Sequence, residues 1–474
     1  MKLLLRLTLI IFLAYMITFC SAPKQETILY DLVIKGGRVM DPASGTDKIL
    51  NIGINGSKIV VISEDSLTGK KVVNATGLVV SPGFIDLHEH AQNNEAYSLM
   101  VRDGVTSAFE LELGTNDVAN WYKEREGGQY INYGVSIGHV RVRMKVMGDE
   151  GEFVPSGPAK YKVATKEQIE EMAKLVGEGL EQGAVAVGFG LAYTPPTNAE
   201  EFEAMLSVAK KHGASSHIHL RSKGVEALQE ALTGAKNIGT SLHVVHINST
   251  GADETGAMLA IIDEEQKNGV DVTTEAYPYE AGMTGIESAF FDDWKSWEEE
   301  KFGIHQWVET GEFLTRESFG KYRETGGMIA IHERTEEMTL TAIKSPLSMI
   351  ASDGIMENGK GHPRTSGTYA KVLGKYAREK KAISLMEALR KMTLAPAQRL
   401  ETRVPQMAEK GRIAVGTDAD ITIFDPETVL DQATYTQPTL TSLGIPYVIV
   451  NGKIVVDQNK LIVEQKPGMA IRGK

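Results

Sequence analysis

With 474 residues the chain is long enough for one large domain with an accessory part, and its 42% hydrophobic and 24% charged content is that of a folded globular protein. A formal net charge of −12 argues against a role in binding nucleic acid. The single cysteine, Cys20, excludes a disulfide within one chain and lies too near the amino terminus to serve as a catalytic thiol.

Residues 1–20 read as an export signal. Lys2 and Arg6 form a basic start, and Leu7 to Phe19 is an almost unbroken apolar run. That run is short of the ~20 residues a membrane span needs. Ile17-Thr18-Phe19-Cys20 resembles a bacterial lipoprotein cleavage box, with Phe19 where a small residue is usual. The expectation is a lipoprotein of a bacterial cell envelope, in the periplasm or at the cell surface. Its lipid anchor at Cys20 would place it on a membrane surface, and a plain exported protein is the alternative.

From residue 28 to residue 80 the pattern is β. Asp31 to Val39 predicts a strand with a glycine turn, and Asn51 to Ile62 predicts a hairpin around Asn55-Gly56. The segment 406–474 resembles it, with a strand at Ile421 to Phe424 and a hairpin around Asn451-Gly452. The two ends are expected to pair into one small β-sandwich. Between them, over 81–405, strands alternate with helices at Lys166–Gln182, Ala199–His212, Val225–Asn237, Gly256–Asn268 and Ser384–Met392. Alternation over this length predicts an α/β fold with a parallel sheet, a (β/α)8 TIM barrel. A doubly wound open sheet is the alternative, but no glycine-rich fingerprint follows the first strand.

Phe84 to Leu87 leads into His88-Glu89-His90. In an extended strand, residues two apart share a face, so both imidazoles can converge on one metal ion. Polar residues recur at the ends of later predicted strands: His217 and His219, His243 and His246, and Asp353. In a barrel these ends line one mouth. Four imidazoles and a carboxylate exceed the needs of one tetrahedral ion and approach those of two adjacent divalent ions bridged by a carboxylate. Glu110 and Glu112, two apart in an apolar run, are the bridge candidates, and a nearby cation would offset the cost of burying them.

These motifs, with Gly138 to Arg143, His219-Leu220-Arg221, Tyr277-Pro278-Tyr279 and His362-Pro363-Arg364, resemble the amidohydrolase superfamily and within it the D-aminoacylase (N-acyl-D-amino-acid deacylase) branch, from about Asp31 to Val456. The resemblance implies a metal-dependent hydrolase of C–N amide bonds other than peptide bonds, holding one or two zinc ions and acting on a small-molecule amide. It implies His88, His90, His219, His246 and Asp353 as metal ligands with Glu112 or Glu110 as bridge, and Asp353 as the catalytic proton carrier. Arg364, Arg143, Tyr279 and Asn248 become the substrate-binding candidates. Two positions depart from the pattern. An acid stands where the branch has a cysteine ligand on the second strand, and Asn248 stands where a lysine is frequent. A cyclic amidase of the hydantoinase or dihydroorotase kind is the competing activity, disfavoured because no lysine stands in Ala184 to Gly190. A surface-anchored binding protein without activity is the competing class, and it has no need for the clustered ligands.

Overall fold

The computed structural model describes residues 28–474; the expected export signal and Cys20 lie outside them. Eight parallel strands form the central sheet: β1 (Phe84–Asp86), β2 (Val105–Thr115), β3 (Asn132–Gly138), β4 (Val187–Gly190), β5 (Ser216–His219), β6 (Leu242–Val244), β7 (Val272–Ala276) and β8 (Ser348–Ile350). They pair in sequence order from β1 to β8, and helices fill the crossovers. The strands are largely buried on both faces, as a parallel sheet covered by helices requires.

Helix boundaries follow local chemistry. Lys166–Glu181 starts at a capping box in which Thr165 and Gln168 satisfy each other's backbone N–H groups, and it buries Ile169, Met172, Val176 and Leu180. Asn198 caps Ala199–Lys211 with its side-chain oxygen, which accepts the Glu201 N–H at 3.0 Å.

Both ends of the described chain join one nine-stranded sheet. Leu29–Asp41 pairs antiparallel with Thr46–Asn55 and parallel with both Thr68–Asn74 and Val79–Pro82. Val79–Pro82 then takes Ile421–Phe424 from the C-terminal part as its antiparallel neighbour. This sheet buries its own core, including Leu32, Ile34, Ile52, Ile421 and Ile449. Gly83 links it directly to β1, so the sheet fixes where the first barrel strand begins. A Cβ at Gly83 would sit 2.2 Å from the Thr106 hydroxyl, so only glycine lets the two strands approach here.

Between β7 and β8 the chain inserts a three-stranded antiparallel sheet, Gly282–Gly285, His305–Trp307 and Met328–Ile331, with an aromatic core of Phe291, Trp297, Phe302, Trp307 and Phe319. It overhangs one side of the barrel mouth, since Phe290, Phe291 and Trp297 line the cavity there. Among the described residues no helix is long and apolar enough to cross a membrane.

Candidate metal centre

β1 and β8 close the barrel beyond their own ends. The Asp353 N–H donates to the His88 carbonyl at 2.7 Å, and the His90 N–H donates to the Gly354 carbonyl at 2.8 Å. Asp86 fastens the seam, its Oδ1 accepting the N–H groups of His88 and Ser352, each at 3.0 Å. The closure thereby sets His88, His90 and Asp353 side by side. The Nε2 atoms of His88 and His90 lie 3.2 Å apart, and Asp353 Oδ1 is 3.4 Å from the first and 3.2 Å from the second. A second pair faces them, His246 Nε2 standing 3.0 Å from His219 Nδ1.

Glu112 lies between the pairs. Its Oε2 is 2.7 Å from His88 Nε2 and 3.6 Å from His246 Nε2, and its Oε1 is 3.1 Å from His219 Nδ1. Donor atoms of His88, His90, Glu112 and Asp353 form one compact group, and those of Glu112, His219 and His246 form another. Glu112 belongs to both.

The backbone explains why Glu112 rather than Glu110 reaches this position. β2 and β3 run in register to Glu110–Val135, then the next paired residues are Thr115 and Ile137, so β2 carries extra residues in a bulge. Glu110 holds that bulge together. Its Oε1 accepts the N–H groups of Glu112 and Leu113 at 3.0 and 2.9 Å, while its Oε2 meets His90 Nδ1 at 2.5 Å. Gly114, Gly138 and Gly188 leave room for it. A Cβ at Gly188 would fall 2.1 Å from the Glu112 carbonyl, and one at Gly138 would fall 1.7 Å from that of Leu113.

The donor chemistry fits divalent cations. Glu275 accepts from His88 Nδ1 at 2.6 Å, as Glu110 does from His90, which leaves both Nε2 atoms as lone-pair donors aimed at one point. Two such lone pairs 3.2 Å apart repel unless a proton or cation lies between them. The local field favours positive charge: burial works against protonated His90, but Glu110 and Asp353 outweigh it and lift its pKa to about 10. Burial likewise opposes ionised Glu112, and the surrounding histidines, His219 foremost, still hold it well below the ordinary carboxylate range.

The cluster forms one wall of a cavity of about 240 Å³. Tyr193, Tyr277, Phe290 and Trp297 supply apolar lining, and Lys223, Ser249, Glu333 and Arg334 supply polar groups. Tyr193 and Phe290 pack on the His219 ring, at 5.1 and 5.6 Å between centroids.

Four residues expected to bind substrate stand elsewhere. Arg143 is fully buried, and its guanidinium pairs with Glu201 and donates to the Ala159 and Lys162 carbonyls. The Asn248 side chain is used up by the backbone of Tyr277, donating to its carbonyl at 3.0 Å. Tyr279 is buried, with its hydroxyl 3.3 Å from Asp431. Arg364 is also buried and does not line the cavity; its Nη1 lies 2.9 Å from Asp353 Oδ2. The remaining strand histidines bond to neighbours, His217 to Ser215, and His243 to Thr273 and Glu275.

Sequence reasoning missed Glu275 and Arg334. Glu275 had a signal, a lone acid among the β-branched residues of β7. Arg334 follows the insert, and no pattern in the sequence points to it.

A model of the Amidohydrolase family matches residues 71–456. An N-acyl-D-glutamate deacylase of Alcaligenes xylosoxydans xylosoxydans is 31% identical, covering 93% of this chain and 96% of its own length. A D-aminoacylase of the same organism is 28% identical over 89% of this chain and 94% of its own. The fold is that of the N-acyl-D-glutamate deacylase of Bordetella bronchiseptica, solved with zinc and a phosphonate mimic of its tetrahedral intermediate. That match has a TM-score of 0.81 at 24% identity, over 94% of this chain and 100% of the other.

Proposed function

The chain belongs to the amidohydrolase family, hydrolases of carbon–nitrogen bonds other than peptide bonds, and from that premise we propose that it deacylates an N-acyl amino acid, of D configuration, or a similar carboxylate-bearing amide. One observation carries the reading: two groups of donors share a single carboxylate, Glu112, at the wall of a cavity sized for a small molecule. His88, His90 and Asp353 would hold one divalent ion and His219 and His246 the other, with Glu112 offered to both; zinc suits this nitrogen-rich set. Bound there, such ions acidify water and polarise a carbonyl oxygen.

The chain's own residues do the rest. Asp353 takes the proton from the attacking water and passes it to the leaving nitrogen, which must be protonated to depart. Burial disfavours its ionised form, but Arg364 and His88 outweigh burial and keep Asp353 a carboxylate in the resting protein. Tyr193 and Phe290 shield the reacting amide from bulk water. Glu275 and Glu110 fix the tautomers of His88 and His90. A cyclic amidase is the weaker reading, because β4 carries no lysine and Glu112 already occupies the place between the two donor groups.

The test is hydrolysis by the metal-loaded protein of N-acetyl-D-amino acids against hydantoins. N-acetyl-D-amino acids should be turned over, and Asp353→Asn should lower turnover by about 10²–10⁴-fold with its metal retained. Hydantoins as the preferred substrates, or near-normal activity in the variant, would sink the reading.

A further inference from the structure

Arg334 is the charged group the chemistry above leaves without a task. It is 7% exposed, lines the cavity, and among the described residues no carboxylate lies within ion-pair distance of it. The cavity's other acids are already engaged, Glu112 and Asp353 in the donor cluster and Glu333 with Lys223 at 2.6 Å. The hydrogen-bond partners of Arg334, namely Ser249, Tyr277 and the Tyr279 carbonyl, are all neutral, and the Arg364 guanidinium lies over the same Tyr277 ring. Nη1 donates to the Ser249 hydroxyl at 3.0 Å, Nη2 donates to the Tyr277 hydroxyl at 2.6 Å, and Nε is buried with no hydrogen-bond partner. A buried guanidinium without an acid is costly, and a planar fork of donors is the shape that a carboxylate completes.

The surroundings are arranged for such a ligand. Gly282 leaves the surface beside the guanidinium bare, where a Cβ would stand 3.4 Å from Nη1 and 3.5 Å from the Tyr277 hydroxyl. Tyr277 and Ser249, which hold the guanidinium, are tied to the donor cluster: the Ser249 N–H donates to the His246 carbonyl at 2.7 Å, and the Tyr277 ring lies 6.5 Å from that of His246. Lys301, exposed at the rim with its ammonium 4.0 Å over Trp297, adds positive charge to the same mouth.

We propose that Arg334 is the carboxylate receptor of this cavity, so that the substrate class is an anionic amide whose free carboxylate completes the guanidinium. The proposal rests on the deacylase reading and deepens it. The carboxylate can be the α-carboxylate that every N-acyl amino acid carries or one on an acidic side chain, and three substrates separate the two: N-acetyl-D-glutamate, N-acetyl-D-glutamine, which lacks the side-chain charge, and the α-amide of N-acetyl-D-glutamate, which lacks the other.

Values of kcat/KM are measured for wild type, Arg334→Met and Arg334→Lys, with metal content and melting temperature recorded for each. Wild type should favour the dianion over one of the two amides by about 100-fold, and Arg334→Met should erase most of that one ratio. Arg334→Lys keeps the charge without the fork and should erase less of it, which preserves the test if the methionine variant folds poorly. Both ratios surviving in the variants, or wild type preferring the amides, overturns the proposal and leaves the deacylase reading standing. No hydrolysis of any N-acyl amino acid by wild type overturns that reading and the proposal together.

Discussion

Asp353 and His246 both adopt positive φ, 53° and 35°, without being glycine. Such backbone costs on the order of 1–3 kcal/mol per residue and persists only where the surroundings over-determine it. Here the β1–β8 seam holds one and the turn into the helix Ile247–Gly251 holds the other, and both side chains enter the donor cluster. Arg143 shows the converse, a residue with the right chemistry in the wrong place. Its pairing with Glu201 is sealed inside the protein, so Arg143→Met should lower the unfolding free energy by about 3–5 kcal/mol in a denaturant titration. KM should stay within about twofold, because the guanidinium never meets the cavity. A large rise in KM at unchanged stability would return Arg143 to the substrate.

At the scale of elements, the bulge in β2 decides the identity of the site. Simple alternation puts Glu110 and Glu112 on one face and leaves the choice between them open. The extra residues after Glu110 aim Glu112 between the histidine pairs and leave Glu110 as the brace behind His90. Gly188→Ala should therefore push against the Glu112 carbonyl, lowering stability by about 1–3 kcal/mol and metal affinity by about tenfold or more, read by melting and by competition with a chelator. Wild-type affinity in that variant would show that the bulge does not position Glu112.

Much of this level was legible in the sequence. Helices such as Lys166–Glu181 announce themselves through caps and a 3.6-residue apolar stripe, and the ligand histidines stand at or just after the ends of short strands. The insert between β7 and β8 was not legible, since its strands are only three or four residues long and its core is aromatic clusters in irregular chain. Asn248, Tyr279 and Arg143 have their side chains engaged away from the cavity, which the sequence does not reveal, for a related reason. Sequence spacing places a residue near a strand end but does not say whether a backbone carbonyl or a buried acid has already taken its side chain.

Over the whole molecule, the nine-stranded sheet and the barrel are joined by a buried polar network. Lys410 Nζ lies 2.7 Å from Asp420 and 2.9 Å from Asp418, and Asp420 accepts in turn from Asn132 on β3 and from the Asn451 backbone of the C-terminal hairpin. Burial disfavours the charge on Asp418, yet Lys410 and Lys58 outweigh it and hold its pKa below the ordinary 3.8. A carboxylate depressed in this way contributes stability above its unfolded pKa, and that contribution is lost as pH falls through the lower folded value. Wild type should thus exceed Asp418→Asn in unfolding free energy by a constant margin near neutral pH, with the gap closing below about pH 3.8. A gap that persists in acid would assign the effect to packing.

Five strands and the turns after them bring six candidate ligands to one mouth with Glu112 in the middle. The most direct measurement is the number of divalent ions per chain at saturating metal for wild type, Glu112→Ala and Glu110→Ala. Wild type should bind two ions, Glu112→Ala should lose at least one, and Glu110→Ala should keep the full count with affinity weaker by about 10–100-fold. A full count in Glu112→Ala together with a lost ion in Glu110→Ala would contradict this role for Glu112.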